Sequence, residues 1–209
     1  MILANKNNER ISASPGEKAL CPICNEEVIA KCGEINIWHW AHKSLGDCDT
    51  WAEPESEWHL NWKQKFPKEM QEVVIGKHRA DIVNEDGEII ELQNSPISIN
   101  EIIEREEYYD NMIWLLNGLT LAKGLNLRKK KGIITFRWKY PPKAWWGSKK
   151  KIYIDLDYGN IQKFERFFIT SYLKSEGYIF LIKKIYSNLP CGGWGIIISK
   201  EEFINGRRY

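Results

Sequence analysis

The sequence predicts an α+β fold, in which a mixed sheet flanked by helices follows a small cysteine-rich module. Three observations lead to this prediction. Four of the five cysteines lie in the turn-rich residues 1–50. Apolar runs in residues 51–117 follow the order αβββαβ, and residues 118–209 contain four further runs of strand length. A hydrophobic content of 43% with 28% charged residues is typical of a globular protein, so long disorder is not expected.

These observations divide the chain into three predicted regions, 1–50, 51–117 and 118–209. No run of eighteen apolar residues occurs, and the first ten residues, MILANKNNER, lack the pattern of an export signal. We therefore expect a cytoplasmic protein without a membrane partner. In that compartment five cysteines, an odd number, indicate reduced thiols or metal ligands rather than a disulfide framework.

The N-terminal region carries a pattern that is typical of a zinc site. Cys21 and Cys24 have the C-x2-C spacing, and after fourteen residues His39 and His42 repeat it with imidazoles. Thiolate and imidazole ligands at this spacing favour tetrahedral Zn²⁺, and four protein ligands make such a site structural. Cys48 is an alternative ligand. Short strands are expected at 27–30 and 34–38.

The central region is the most regular part of the sequence. A helix is predicted to start near Pro54 to Ser56 because Pro, Glu and Ser precede a run of spaced apolar residues. Three strands follow, QEVVIG, HRADIVN and EIIELQ, separated by short turns. Ser98 and Glu101 predict a capping box at the start of a second helix, which precedes the buried strand MIWLLN.

Two carboxylates in this region are predicted to face each other across a hairpin. A three-residue loop at 85–87 would pair the second and third strands so that Asp81 lies opposite Glu91. Two carboxylates about 5 Å apart repel each other, so a positive charge between them is required. Either Mg²⁺ or Mn²⁺ would supply it, or Arg79 or Arg105 would neutralise the pair.

The C-terminal region combines apolar strands with a concentration of positive charge. Four strands (GIITFRW, KIYIDL, YIFLIKK and WGIIIS) and a helix at about 160–174 are predicted, either as an extension of the sheet or as a small α+β appendage. Residues 123–151 hold eleven Lys and Arg and no acid, whereas residues 47–110 hold seventeen acids and six Lys and Arg.

Basic side chains interleaved with tryptophans predict a nucleic-acid-binding face, although a basic loop that solubilises the sheet would have the same composition. The residues expected to bind nucleic acid are Arg128, Lys129, Lys130, Lys131, Lys139, Trp145 and Trp146.

Several motifs together resemble the competence protein CoiA-like nuclease family of the PD-(D/E)XK superfamily. In chain order they are CPIC (21–24), HWAH (39–42), ESEWH (55–59), RADI (79–82), ELQNSPIS (91–98) and E-x3-R-x2-Y (101–108). The resemblance covers residues 18 to about 117. It implies a restriction-endonuclease-like core that cleaves DNA with Mg²⁺ or Mn²⁺.

The resemblance also implies roles for particular residues. Asp81 and Glu91 match the metal-holding acids, and Gln93 stands where most of the superfamily has a catalytic lysine. Glu55 or Glu57 would complete the ligand set, with Glu55 and His59 matching the family motif. Because glutamine carries no charge and transfers no proton, a DNA-binding accessory protein without cleavage activity is the alternative to a nuclease.

Overall fold

The computed structural model describes residues 1–35, 37–43, 48–51, 53–130, 133–156, 177–186 and 191–206. The chain forms two compact units, residues 1–85 and residues 86–209. The division into three domains, 1–50, 51–117 and 118–209, stays a prediction. No helix among the described residues is long and apolar enough to cross a membrane.

The N-terminal part of the first unit is a five-stranded antiparallel sheet with the strand order β2-β1-β3-β4-β5. Its strands are β1 (Leu3–Lys6), β2 (Glu9–Ser12), β3 (Lys18–Leu20), β4 (Glu27–Lys31) and β5 (His39–His42). Small side chains and Trp40 form its core, and the Trp40 indole donates to the carbonyl of Ile11 at 3.0 Å. The strand expected at 27–30 is confirmed, whereas that expected at 34–38 is wrong, because pairing with β4 begins only at His39.

The rest of the first unit is a short helix and a hairpin. Helix α1 (Glu57–Lys63) has Ser56 as its N-cap, in agreement with the predicted start. A 3-10 turn (Lys68–Met70) leads to β6 (Gln71–Ile75) and β7 (His78–Val83). The two-residue turn Gly76–Lys77 sets the register that pairs Ile75 with His78.

The described residues of the second unit form seven strands in the order β10-β11-β14-β13-β12-β9-β8. They are β8 (Ile89–Gln93), β9 (Met112–Asn117), β10 (Leu125–Lys130), β11 (Ile133–Trp138), β12 (Lys151–Leu156), β13 (Tyr178–Tyr186) and β14 (Cys191–Ser199). The α-helices are α2 (Ile99–Tyr108), α3 (Gly118–Leu121) and α4 (Lys200–Ile204), and a 3-10 helix spans Lys143–Gly147. β9 pairs in parallel with β8 and β12, and the other pairs are antiparallel, so the sheet is mixed.

The order of elements from α1 to β9 agrees with the predicted αβββαβ, and the four predicted C-terminal strands are present. Because β12 hydrogen-bonds to β9, the C-terminal strands extend the sheet rather than form an appendage. The helix predicted at about 160–174 lies outside the described residues. The capping box expected at α2 is only half formed: Ser98 accepts from the Glu101 amide, but the Glu101 carboxylate binds Arg105 instead.

Candidate functional site

Four side chains of the first unit converge on one point. The ligand atoms of Cys21, Cys24, His42 and Cys48 all lie within 4.8 Å of one another. The Cys21 and Cys48 sulfurs are 3.5 Å apart, and the Cys24 sulfur is 3.2 Å from His42 Nε2. We call these four residues the Cys/His cluster.

The dimensions of the Cys/His cluster fit a zinc ion. With Zn–S near 2.3 Å and Zn–N near 2.05 Å, a tetrahedral site has edges of about 3.8 Å between sulfurs and about 3.6 Å between sulfur and nitrogen. Burial, together with the neighbouring thiols of Cys21 and Cys24, raises the pKa of Cys48 to about 12. Thiols so close together are held jointly as thiolates only by a bound cation, which Zn²⁺ would provide.

The prediction of His39 as the fourth ligand needs correction. His39 and His42 lie three residues apart in β5, and residues an odd number apart in a strand point to opposite faces. His42 faces the cluster, whereas His39 Nδ1 lies 2.8 Å from the carbonyl oxygen of Ile37. Cys48, the alternative ligand, occupies the fourth position.

The amine of a buried lysine in the first unit contacts three carboxylates. The Lys63 amine lies 2.7 Å from Glu55 Oε1, 3.0 Å from Asp81 Oδ1 and 3.1 Å from Glu72 Oε1. Only 1% of the Lys63 side chain is exposed, while Asp81 retains 22% and is the most accessible of the four. We call these residues the Lys63 cluster.

Glu72 is held in an unusual backbone conformation at the centre of this cluster. Its φ of 47° lies in the left-handed region, which non-glycine residues adopt rarely and at a cost of about 1–3 kcal/mol. The backbone amides of Ile2 and Leu3 donate to its carboxylate at 2.8–3.1 Å, and Arg10 donates to its carbonyl at 2.9 Å. These contacts offset the strain and fix the carboxylate against Lys63.

Electrostatics in the Lys63 cluster favour charged groups despite burial. Burial alone would lower the pKa of Lys63, but Asp81, Glu72 and Glu55 outweigh it and raise that pKa above its usual value. For Glu72, burial is likewise outweighed, by Lys63 and Arg79, and the pKa of its carboxyl is lowered. Glu55 differs, because burial dominates and raises its pKa.

The structure separates the two helix acids that the sequence left open. Glu55 precedes α1 and is buried against Lys63, whereas Glu57 is exposed in the first helical turn. His59 is part of a capping box: its Nδ1 lies 2.8 Å from Ser56 Oγ, and its own amide is bound by the same oxygen. His59 therefore holds the start of the helix, next to Glu55.

A cavity of about 360 Å³ opens beside both clusters within the first unit. His42 and Cys48 line it from the Cys/His cluster, and Glu55 and Arg79 line it from the other side. The second carboxylate oxygen of Glu55 is buried and has no hydrogen-bond partner among the described residues. A buried carboxyl oxygen at the wall of a cavity is suited to bind a cation, and a bound cation would favour its ionised form.

In the second unit, the remaining predicted site residues have local partners. Glu91 accepts from Arg105 at 3.3 Å, and Arg105 also binds Glu101 at 2.7 Å. Gln93 is fully buried, and its amide donates to the carbonyl of Ser95 at 2.9 Å. Because Asp81 belongs to the first unit and Glu91 to the second, their predicted face-to-face arrangement stays a prediction.

The residues expected to bind nucleic acid fall into two groups. Arg128, Lys129, Lys130 and Lys139 are exposed on or beside β10 and β11, and Lys131 lies outside the described residues. The prediction that Trp145 binds nucleic acid is wrong. Trp145 is buried, and its ring lies 5.0 Å from that of Trp114 in an edge-to-face contact, so it cannot stack on a base. Trp146 is partly exposed.

Two members of the Lys63 cluster were missed from the sequence, although each leaves a signal. Lys63 follows His59 by four residues in α1 and so lies on its buried stripe, together with Trp62. The turn at Gly76–Lys77 sets a register that places Glu72 across from Asp81. The helical spacing therefore indicated the position of Lys63, and the strand register indicated that of Glu72.

The fold and the Cys/His cluster first define a class: an α+β protein with a candidate Cys3His metal site in an N-terminal β-module. The comparison with protein families then gives a match. Residues 3–50 match the family described as competence protein CoiA, N-terminal domain, so this part of the chain is similar to that domain. The matched residues include all four members of the Cys/His cluster. Neither the curated proteins nor the solved structures gave a match.

Proposed function

We propose that this protein is a metal-dependent nuclease that hydrolyses phosphodiester bonds in DNA and carries a structural zinc ion. The observation that carries the proposal is the Lys63 cluster, in which three carboxylates meet one amine beside a cavity. Converging carboxylates are the ligands that hold the divalent metal ions used in phosphodiester hydrolysis. The similarity of residues 3–50 to the CoiA N-terminal domain, together with the motifs that resemble CoiA-like nucleases, adds the expectation of a nuclease core.

In this proposal Asp81, Glu91 and Glu55 hold Mg²⁺ or Mn²⁺. Asp81 is the partly exposed member of its cluster, and Glu55 offers a buried oxygen without a hydrogen-bond partner among the described residues. Hard cations prefer such oxygen ligands. The ion would lower the pKa of a bound water and polarise the phosphate.

Lys63 has a different role from the catalytic lysine that most of the superfamily carries at the position of Gln93. Its amine keeps its proton, because the pKa of Lys63 is raised by the surrounding carboxylates. It therefore orients Asp81 and Glu55 as a cation rather than as a base. Since Lys63 is buried, we assign it a positioning role and no contact with the substrate.

The test is cleavage of labelled single- and double-stranded DNA with Mg²⁺ or Mn²⁺. We expect Asp81→Asn and Glu91→Gln to abolish cleavage and Glu55→Gln to reduce it by roughly 10²-fold or more. Glu57→Gln is the matched control, because Glu57 is exposed on the same helix and should leave the rate unchanged. Cleavage that survives Asp81→Asn, or that is absent from the wild-type protein under all these conditions, would overturn the proposal.

A second candidate function is a DNA-binding accessory protein without cleavage activity. Lys63 and Arg105 already neutralise Asp81 and Glu91, and the Gln93 amide is engaged by Ser95. Such a balanced network is stable without an added cation. DNA binding without metal-dependent cleavage would favour this function over the first.

A further inference from the structure

The second unit contains a groove of about 400 Å³ at the end of β12. One wall is the 3-10 helix Lys143–Gly147 and the segment that follows it, and the other is the C-terminal half of β13. Side chains that line the groove include Trp146, Lys150, Ile152, Lys183, Lys184 and Ile185. None of the described residues that line it is acidic.

A β-bulge in β13 lies at the groove. Ile182 pairs with Gly195 and Lys184 pairs with Trp194, so Lys183 is an extra residue without a partner in β14. The four consecutive residues 182–185 line the groove, and two of them are lysines. Bulges are frequent beside functional sites.

The groove also borders a stretch of β13 that β12 does not cover. Pairing between β12 and β13 ends at Ile152 and Ile182, so in the part of the chain that the structure describes no strand pairs with residues 183–186 on that side. The side chains of Lys183 and Lys184 are exposed. An extended ligand can therefore lie along this edge.

The three lysines of the groove differ in how they are engaged. Lys150 binds Asp110, and Lys184 lies 5.4 Å from the ring of Tyr186 in a cation–π contact. Lys183 has no acidic partner among the described residues. Among the described residues, neither Lys183 nor Lys184 has a carboxylate partner, and both line the groove.

Two consecutive tryptophans, Trp145 and Trp146, have different roles at this groove. Trp145 is buried against Trp114 and anchors the 3-10 helix. Trp146, the next residue, is partly exposed and lines the groove. An anchored neighbour reduces the freedom of Trp146, which lowers the entropic cost of stacking on a ligand.

We propose that this groove binds a segment of single-stranded DNA, with consecutive phosphates at Lys183 and Lys184 and a base stacked on Trp146. A volume of about 400 Å³ admits a unit of nucleotide size. Basic side chains beside an aromatic ring are the elements of single-strand binding, and a base paired in a duplex would not expose its face to Trp146. The inference rests on the proposed function for its choice of DNA as the ligand.

The test is fluorescence anisotropy of a labelled oligo-dT with the full-length, zinc-containing protein and no added Mg²⁺ or Mn²⁺. Lys183→Ala with Lys184→Ala should weaken binding about tenfold or more and reduce the salt slope by about 1.4, and Trp146→Ala should weaken binding roughly 5- to 100-fold. Lys65→Ala with Lys68→Ala, two exposed lysines of the first unit that belong to no proposed site, is the matched control with the same loss of charge and should have a smaller effect. Trp146→Phe should restore most of the affinity.

Competitors identify the ligand class. A duplex of equal length and polyglutamate should each compete at least tenfold less well than oligo-dT. Equal competition by polyglutamate would mean a general anion patch and would overturn the inference, as would groove variants that bind like the wild-type protein. If the groove variants lose binding while no cleavage occurs, the inference stands and the nuclease proposal fails; if they bind normally and Asp81-dependent cleavage occurs, the reverse holds.

Discussion

The Cys/His cluster and the Lys63 cluster lie in the same unit but differ in the source of the positive charge that would balance their acidic groups. In the Cys/His cluster three thiols and an imidazole converge with no lysine or arginine among its four members, so a bound cation would be needed to hold the thiols together as thiolates. In the Lys63 cluster the cation is part of the chain. We therefore expect the first site to depend on a bound metal for its stability, whereas the second has an internal cation that stabilises it without metal.

Loss of the zinc ligand set should give the largest effect. We expect about one zinc per chain by elemental analysis, and Cys21→Ser should remove it and unfold the N-terminal sheet, because structural zinc contributes on the order of 10 kcal/mol to small domains. Circular dichroism with and without a chelator measures the loss. Cys32→Ser is the matched control, since Cys32 lies outside the cluster, and should keep its zinc. A protein purified without zinc that melts normally would contradict the comparison.

Removal of the internal cation should have the next largest effect. Lys63→Met leaves the buried Glu55 and Glu72 and the partly exposed Asp81 without their shared partner, which should destabilise the protein by about 3–5 kcal/mol. Urea unfolding measures the change. Lys65→Met removes an exposed charge two residues away and should change stability by less than about 0.5 kcal/mol. Equal losses in the two variants would show that the Lys63 amine is not needed.

The pH dependence of the free energy of unfolding should distinguish two glutamates of the Lys63 cluster, Glu72 and Glu55. The pKa of Glu72 is lowered, so its contribution is complete above the unfolded pKa of about 4.3 and is lost as the pH falls through the folded value. The pKa of Glu55 is raised, so its contribution is present at low pH and is lost as the pH rises above about 4.3 through the folded value.

Urea midpoints between about pH 3 and pH 8 would show the two signs. Glu72→Gln should flatten the fall in stability towards acid, and Glu55→Gln should flatten the fall towards neutral pH. Each variant serves as the control for the other. If both retain the wild-type profile, neither carboxyl contributes to the linkage.

The helix cap should give the smallest effect. Ser56→Ala removes the oxygen that binds the His59 amide and should cost about 1 kcal/mol, mostly by loosening the segment that holds Glu55. Ser98→Ala at α2 removes a cap with one fewer hydrogen bond and should cost the same or less. Thermal melts would separate the two, and a larger loss at Ser98 would count against the role of the capping box.

Much of the central and C-terminal fold was predictable because its strands are apolar and bounded by clear turns. The N-terminal strands β1 to β3 were not, since LANK, ERIS and KAL are short and partly polar, and are stabilised by pairing with neighbours rather than by a local pattern. Thus the sequence predicted a metal-binding module there but not its sheet.

The candidate sites were predictable to the extent that spacing determines geometry. Cys21, Cys24 and His42 followed from spacing, but the choice between His39 and Cys48 required the position of β5, which sets the direction of each side chain. Lys63 was missed because a buried lysine contradicts the usual distribution of charge. Whether Trp145 is exposed depends on Trp114, a partner distant in sequence.

One short segment joins the two clusters mechanically. Asp49 directly follows the ligand Cys48, and its carboxylate binds the His78 ring at 2.8 Å and the Arg79 amide at 3.0 Å. Arg79 in turn contacts Glu72, and Asp81 lies two residues further along β7. Zinc that fixes Cys48 would therefore restrict the strand that presents Asp81, and the two sites should show reciprocal thermodynamic coupling, each tightened by occupancy of the other.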